Sequence, residues 1–353
     1  MIVLRKWFAV GALIFLAGCQ SDQESPESEA VVQQEGQGAE SVLKEMDVPW
    51  SINEHSGTFY LSERKGKIVK WDSASGKKDV QDVSFEKKVH LEGEGGFLGL
   101  QLVPDFDQSR QAYAYHTYKD GGSIKNRIVV IEERNGGWKE VRVLLEDIPG
   151  ARFHNGGRLK IGPDDKLYAT AGDALTPELA QDRGSLAGKI LRIELDGAIP
   201  DDNPFPDSYV YSYGHRNPQG LAWSDNGEMY STEHGQSAHD EINRIMPGRN
   251  YGWPVIEGDE QQEGMETPFF HTGSETWAPS GIAYKDGRLY VAALSGNAVK
   301  RVDINSRKAG NEMDGFGRMR DVLIAGSEIY AITNNRDGRG NPRPGDDQLL
   351  VKK

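Results

Sequence analysis

One phrase recurs along this chain: an apolar strand, a tight polar turn, then a second strand carrying a tyrosine. It reads "GRLKIGPDDKLYATAGD" at 157–173, "QGLAWSDNGEMYSTEHG" at 219–235 and "SGIAYKDGRLYVAALSG" at 280–296. Looser copies are "WSINEHSGTFYLSERKG" (50–66), "LGLQLVPDFDQSRQAYAYHTY" (98–118) and "RDVLIAGSEIYAITNN" (320–335). Asp-Gly and Asn-Gly supply the positive φ that tight antiparallel connections need. Six copies from residue 42 onward leave about 50 residues per unit, the size of a four-stranded propeller blade. Third strands follow several copies, at 66–72, 188–196 and 297–303. A pair of β-sandwiches also contains hairpins, but does not need the same hairpin six times at this spacing. The expected fold is therefore all-β: a six-bladed β-propeller of four-stranded antiparallel blades over 42–353.

A propeller turns scattered residues into one surface. The innermost strand of every blade starts at the same end of the channel, and the loop after the second strand returns there. The segments before the inner strands are Asp47–Trp50, Glu94, His154–Asn155, His215–Asn217, Trp277–Ser280 and Arg318–Arg320. The returning loops add Ser62–Arg64, His116, Gly172–Asp173, Glu233–Asp240, Leu294–Ser295 and Asn334–Asp337. Polar, cationic and aromatic groups thus converge on one channel mouth, where a ligand pocket is expected.

Three constellations lie on that rim. In "RFHNGG" (152–157), His154 precedes two glycines that let the backbone pass close to a ligand or a neighbouring blade. A rim histidine serves as a general base near neutral pH, or equally caps a loop carbonyl. In "GHRNPQGLAW" (214–223), Arg216, Asn217 and Gln219 precede one inner strand, and Arg318 and Arg320 precede another. Three arginines suit bidentate carboxylate recognition, or pairing with the chain's own acids. The third, "STEHGQSAHDEINRIMPGRNYGWP" (231–254), offers carbonyls and the Asp240 and Glu241 carboxylates, oxygen donors of the kind Ca²⁺ prefers. It lacks EF-hand spacing, and His234 and His239 have no third nitrogen or sulfur partner at zinc-site spacing.

The net charge of −13 argues against nucleic acid as a partner, so an anionic ligand must be held by a local basic cluster. At the N-terminus, Arg5 and Lys6 precede an apolar run, 7–17, too short to span a bilayer and suited to a signal h-region. It ends in Leu16-Ala17-Gly18-Cys19, which resembles a bacterial lipobox. Residues 1–18 then read as a lipoprotein signal peptide, with Cys19 lipidated after cleavage. Cys19 is the only cysteine, which excludes intrachain disulfides and a cysteine metal cluster. Residues 19–41 are acidic and Gln/Ser-rich, a flexible tether. The expected location is extracytoplasmic, lipid-anchored to the outer face of a bacterial membrane, with no membrane contact beyond the anchor.

Together, "GEGGFLGLQLVPDF" (93–106), "HNGGRLKIGPDDKLYATAGD" (154–173), "GKILRIELDG" (188–197), "GHRNPQGLAW", "EHGQSAHDEINRIMPGRNYGWP" (233–254), "APSGIAYKDGRLYVAAL" (278–294) and "RMRDV" (318–322) closely resemble the glucose/sorbosone dehydrogenase family of soluble quinoproteins. The resemblance covers essentially the whole domain, in order. It implies a six-bladed propeller that uses pyrroloquinoline quinone (PQQ) and Ca²⁺ to oxidise aldoses at C1 to lactones. A histidine base takes the anomeric proton as hydride passes to PQQ, and electrons leave to an external acceptor. Matched positions imply His154 as base, with Arg216 beside it as a catalytic arginine. They imply quinone contacts by Arg216, Asn217, Gln219, Arg318 and Arg320, with Glu94 and Asp173 in the cofactor pocket. Calcium would sit on the carbonyls of Gly235 and Gln236, with side chains at Asp240 or Tyr251 also used in some members.

Two departures stand out. Glucose-oxidising members carry a lysine where this chain has Ser295, and they have longer loops between blades, so a more open pocket and broader aldose use are expected. The alternatives from other classes are a calcium-dependent lactonase-type hydrolase, which wants carboxylates and Asn converging on a metal deep in the channel, and a non-catalytic propeller that binds a sugar or a protein.

Overall fold

The computed structural model describes residues 38–353. The signal peptide, Cys19 and nearly all of the tether lie outside the described residues. The first strand, Glu40–Leu43, begins just inside the segment expected to be tether. No described helix is long and apolar enough to cross a membrane.

The fold is all-β and has the sheet organisation of a β-propeller. Four antiparallel sheets have four strands each. One runs Leu159–Ile161, Leu167–Ala171, Lys189–Ile193, Val210–Tyr213; the next Pro218–Trp223, Met229–Glu233, Glu241–Ile245, Phe270–His271. A third runs Pro279–Lys285, Arg288–Ala293, Ala298–Asp303, Ala309–Asp314. The fourth joins the first and last described strands: Glu40–Leu43 pairs with Leu349–Lys352 beside Glu328–Thr333 and Met319–Ala325. An eight-stranded sheet holds two four-stranded meanders, 49–84 and 97–149, joined where Val83 and Ser84 pair in parallel with Trp138 and Lys139.

The recurring hairpin maps onto this arrangement. Pro49–His55, Phe97–Leu102, Leu159–Ile161, Pro218–Trp223, Pro279–Lys285 and Met319–Ala325 are all edge strands. They contact one another in a closed cycle, the last returning to the first. The recurring tyrosines, Tyr60, Tyr113, Tyr168, Tyr230, Tyr290 and Tyr330, all lie on second strands and are all buried. Apolar clusters fill the wedges between consecutive sheets; one packs Ile52, Phe59 and Val69 against Tyr330, Ile332 and Leu349 and so seals the ring. Inner strands approach too closely for a side chain at some positions. A Cβ on Gly220 would stand 2.3 Å from the Ser280 carbonyl, and one on Gly281 only 1.8 Å from Asp321 Oδ1.

The registers put the site at one end. Pro218 opposes Glu233, Pro279 opposes Ala293 and Met319 opposes Thr333, so each inner strand starts where its partner ends. The third strand expected at 188–196 stops at Ile193, because the chain turns at Glu194–Gly197. Arg158, buried beside the inner strands, has Nη1 2.8 Å from Asp321 Oδ2 and its guanidinium 4.2 Å from the Trp50 ring centroid.

Candidate active site

His154 sits at φ +59°, a left-handed conformation unusual for a histidine and a feature often found at functional sites. The glycines around it explain how the turn fits. A Cβ on Gly172 would lie 2.1 Å from the His154 carbonyl, and one on Gly157 would strike Leu98 of the neighbouring sheet at 2.7 Å. Of the His-Asn-Gly-Gly pair, Gly157 serves the approach of the adjacent blade, whereas Gly156 passes its own second strand, where a Cβ would stand 2.5 Å from the Thr170 carbonyl.

The His154 ring is oriented from behind. Nδ1 lies 2.8 Å from Asp173 Oδ1, which also accepts the Leu175 N–H at 2.8 Å. The other oxygen, Oδ2, accepts Trp253 Nε1–H at 2.8 Å. An ionised carboxylate only accepts, so His154 donates through Nδ1, and the neutral ring held in this way carries its lone pair on Nε2.

Two cavities meet at this histidine. One, of about 280 Å³, is bordered by Glu94, His154, Arg216, Asn217, His234 and Arg339, among others. The second, of about 540 Å³, is bordered by His154, Asp173, Leu175, Trp253, Ile256 and three glutamates, Glu178, Glu257 and Glu260. His154, Arg216 and Gln236 belong to both.

The loop carrying Arg216 and Asn217 is held by Glu233. Its Oε1 accepts the backbone N–H groups of Arg216 and Asn217, and its Oε2 is 2.9 Å from His215 Nδ1. His215 is fully buried, bonded to Ser212 Oγ and stacked on Tyr251; it supports the loop and does not reach the cavities. Arg216 faces them, with Nη1 on the His234 carbonyl and its guanidinium 5.3 Å from the Trp253 ring centroid.

Several buried nitrogens at the mouth have no hydrogen-bond partner among the described residues: Arg216 Nε, Asn217 Nδ2, His234 Nε2 and Arg318 Nε. Buried polar groups are normally satisfied, so such a set marks where a ligand would supply acceptors. Burial pushes His234 down to about 4, which leaves it neutral at pH 7. Burial alone would raise Glu94, but His234 in its protonated form, together with the guanidinium charges of Arg339 and Arg320, holds it at about 2; the two arginines keep this field at neutral pH.

Not every expected residue reaches the cavities. Arg320 Nη1 donates to Gln219 Oε1 at 2.9 Å and its Nε and Nη2 to Asn334 Oδ1, so Arg320 and Gln219 pair with each other beneath the rim. Burial brings Arg320 down to about 9. Arg318 borders a neighbouring cavity and donates to Asp337.

The side chains of the expected calcium set are engaged within the protein. Tyr251 Oη donates to the Arg244 carbonyl and accepts the Met246 N–H, so its side chain is committed to the loop. Asp240 is committed as well. Oδ1 accepts the Gly235 N–H, while Oδ2 accepts from Thr276 Oγ1 and the N–H groups of Trp277 and Ala278. Gly235 and Gln236 do border the cavity, and their carbonyls are the hard oxygen donors that remain. Among the described residues no three His, Cys, Asp or Glu side chains converge as a metal cage.

Sequence reasoning does not single out Trp253, the Glu233 clasp or Arg339. The first two lie inside a quoted stretch with nothing to separate them from its other polar and aromatic residues. Arg339 lies two positions beyond the loop span expected on the rim.

A family model described as Glucose / Sorbosone dehydrogenase matches residues 46–349. Quinoprotein glucose dehydrogenase B of Acinetobacter calcoaceticus is 34% identical over 236 residues, 58% of this chain and 49% of that protein, so the alignment spans about half of that enzyme. The aldose sugar dehydrogenase YliI of Escherichia coli (strain K12) is 28% identical over 342 residues, covering 85% of this chain and 90% of that one. Among solved structures, the PQQ-bound aldose sugar dehydrogenase of Streptomyces coelicolor superposes with a TM-score of 0.82 at 37% identity, covering 88% of this chain and 96% of that one.

Proposed function

The chain belongs to the glucose/sorbosone dehydrogenase family, and on that premise we propose that it is a PQQ- and calcium-dependent dehydrogenase that oxidises aldoses at C1 to lactones. The four four-stranded sheets, the two halves of the eight-stranded sheet and the closed cycle of edge strands support a count of six blades. The observation that carries the functional reading is the pairing of an oriented base with a set of unsatisfied buried nitrogens. His154 borders both a cavity lined by three of the residues that carry those nitrogens, Arg216, Asn217 and His234, and a second, acid-walled cavity.

The residues fit the cofactor. PQQ is a planar trianion, and Arg216, Asn217 and His234 present unpartnered nitrogens around the smaller cavity, with Arg318 beside it. Gly235 and Gln236 would hold Ca²⁺ through backbone oxygens. When bound, PQQ supplies the hydride acceptor and Ca²⁺ polarises it as a Lewis acid. The chain's own contribution is then positional and acid–base. Asp173 and Trp253 fix His154 so that Nε2 takes the anomeric hydroxyl proton. The wall from Leu175 to Ile256 seats the sugar, and Glu233 sets the backbone of the loop that presents Arg216 and Asn217. Arg320, Gln219 and Asn334 form the floor on which these groups rest. The electrons pass on to an external acceptor.

A lactonase-type hydrolase would need carboxylates converging on a metal, and the described residues offer no such cage. We place the domain outside the cytoplasm, with residues 1–18 as a lipoprotein signal, Cys19 as the lipid anchor and a short tether before the first strand. The test is reconstitution of the purified domain with PQQ and Ca²⁺, followed by dye reduction with a panel of aldoses. Quinone binding with dye reduction that chelation abolishes supports the assignment; absence of both overturns it.

A further inference from the structure

Arg339 has been given no role, yet its guanidinium borders two cavities. One is the cavity of Arg216, Asn217 and His234; the other, of about 520 Å³, lies beside Ser295 and Arg318. Nη1 donates to Glu94 Oε1 at 2.9 Å, a contact between residues 245 positions apart that links the rim loops of two blades with a third between them. Nη2 stands 3.6 Å from Asp337 Oδ2, the oxygen that also accepts from Arg318 Nη2 at 2.9 Å. The loop is built to hold it there. The Arg339 N–H donates to Asp337 Oδ1, and a Cβ on the next residue, Gly340, would meet the Asn335 carbonyl at 2.5 Å and Arg318 Cδ at 2.8 Å.

The charges around the smaller cavity need this cation. Glu94 faces the same space as Arg216 and Asn217, and it is ionised at neutral pH. An anionic ligand entering there meets the Glu94 charge at close range unless a cation stands between them. Arg339 is the residue on Glu94, and its side chain is 44% exposed against 11% for Arg318. It is therefore free to turn its fork from Glu94 toward a ligand carboxylate, which the enclosed arginines are not.

We propose that Arg339 is a cofactor-binding residue, reaching over the channel mouth to pair with a carboxylate of the quinone trianion, with Glu94 parking the guanidinium before the cofactor arrives. The assignment rests on the PQQ reading given above.

The test is equilibrium binding of PQQ in the presence of Ca²⁺, read by tryptophan fluorescence quenching and by dialysis, for the wild type and for R339A, R339K, E94Q and R339A/E94Q. Loss of one charge-assisted pair predicts a fall in affinity of roughly 10- to 100-fold for R339A, a smaller fall for R339K, and a flatter salt dependence for R339A. The double variant stays weak, because the direct contact is gone whatever the charge at 94. Wild-type affinity in R339A overturns the assignment. So does recovery of wild-type affinity in R339A/E94Q, which would reduce Arg339 to a shield for Glu94. If the wild type itself binds no quinone, the cofactor reading fails and this assignment with it. Thermal melts of the variants separate lost binding from lost folding.

Discussion

Asp173 holds His154 by a 2.8 Å contact between Oδ1 and Nδ1, and Trp253 and Leu175 hold Asp173 in turn. An H154A variant removes the proposed base and should lose about 10²- to 10⁴-fold in kcat while its PQQ affinity stays near wild type. In D173N the amide must place an NH₂ group against Trp253 Nε1–H or against His154 Nδ1. The first choice costs Asp173's anchor on Trp253 while keeping the His154 contact, and the second makes the amide donate to Nδ1 and moves the ring proton to Nε2, so kcat should fall by at least about tenfold with little change in KM. Steady-state dye reduction with parallel quinone titration measures both.

Glu233 tests whether the cofactor loop is set by one carboxylate. It accepts the N–H groups of Arg216 and Asn217 and contacts His215, all in a buried setting. E233A leaves those donors unpaired, at about 1–3 kcal/mol each. The expected result is a lower melting temperature together with weaker quinone binding, although Glu233 touches no ligand. H215A should lower the melting temperature and leave Arg216 better placed than E233A does, so its quinone affinity should fall less.

The propeller is legible in the sequence because it is periodic. One hairpin at near-constant spacing, with a tyrosine that proves buried on every second strand, carries both the sheet order and the position of the rim. That is why His154, Arg216, Asn217 and Glu94 fall around one mouth on sequence alone. Depth and commitment are not legible. Whether Arg320 faces a ligand or pairs with Gln219, and whether Asp240 binds a metal or caps the backbone at 277–278, depends on ångström-scale neighbours from other blades. Residue type and spacing carry no such information. Arg339 escapes for a related reason: its loop runs past the strand end before folding back, so hairpin periodicity does not locate it.

Arg158 and Asp321 tie opposite parts of the ring through the channel, each about 2% exposed. Removing one partner of such a pair costs about 3–5 kcal/mol, because the other charge is left buried and alone. D321A should therefore melt well below the wild type. R158M/D321A, which removes both charges, should recover much of the loss. Urea or thermal unfolding reads both; a double variant as unstable as the single one would assign the cost to the backbone contact of Asp321 with Ile52.

Asp347 gives the fold a pH dependence. It is fully buried, its Oδ2 has no partner, and burial pushes its pKa from 3.8 to about 7 despite the Asn335 N–H on Oδ1. A raised folded-state pKa means the folded protein keeps a proton that the unfolded chain has released. This contribution is complete below pH 3.8 and is lost as pH rises toward about 7. Every tenfold difference in proton affinity between the two states corresponds to about 1.4 kcal/mol. D347N removes the titration, so the fall in melting temperature between mildly acidic and neutral pH should be shallower in the variant. Parallel slopes for the two proteins would place the pH sensitivity elsewhere.

On the proposed function, the wall of the larger cavity selects among the sugars that approach His154. Glu178, Glu257 and Glu260 stand around it with Asp173, against a single guanidinium, that of Arg216. One Glu257 oxygen is buried with no partner among the described residues. A substrate carboxylate or phosphate would have to approach these charges with little counter-charge, so uronic acids and sugar phosphates should be oxidised far less efficiently than the neutral aldoses they derive from. The penalty should appear mainly in KM, since it acts on entry, and should shrink as salt screens the partly exposed wall. Replacing Glu257 and Glu260 together by Gln should raise kcat/KM for glucuronate several-fold and leave glucose nearly unchanged. Equal gains for both sugars would mean that the two glutamates restrict access by size and not by charge.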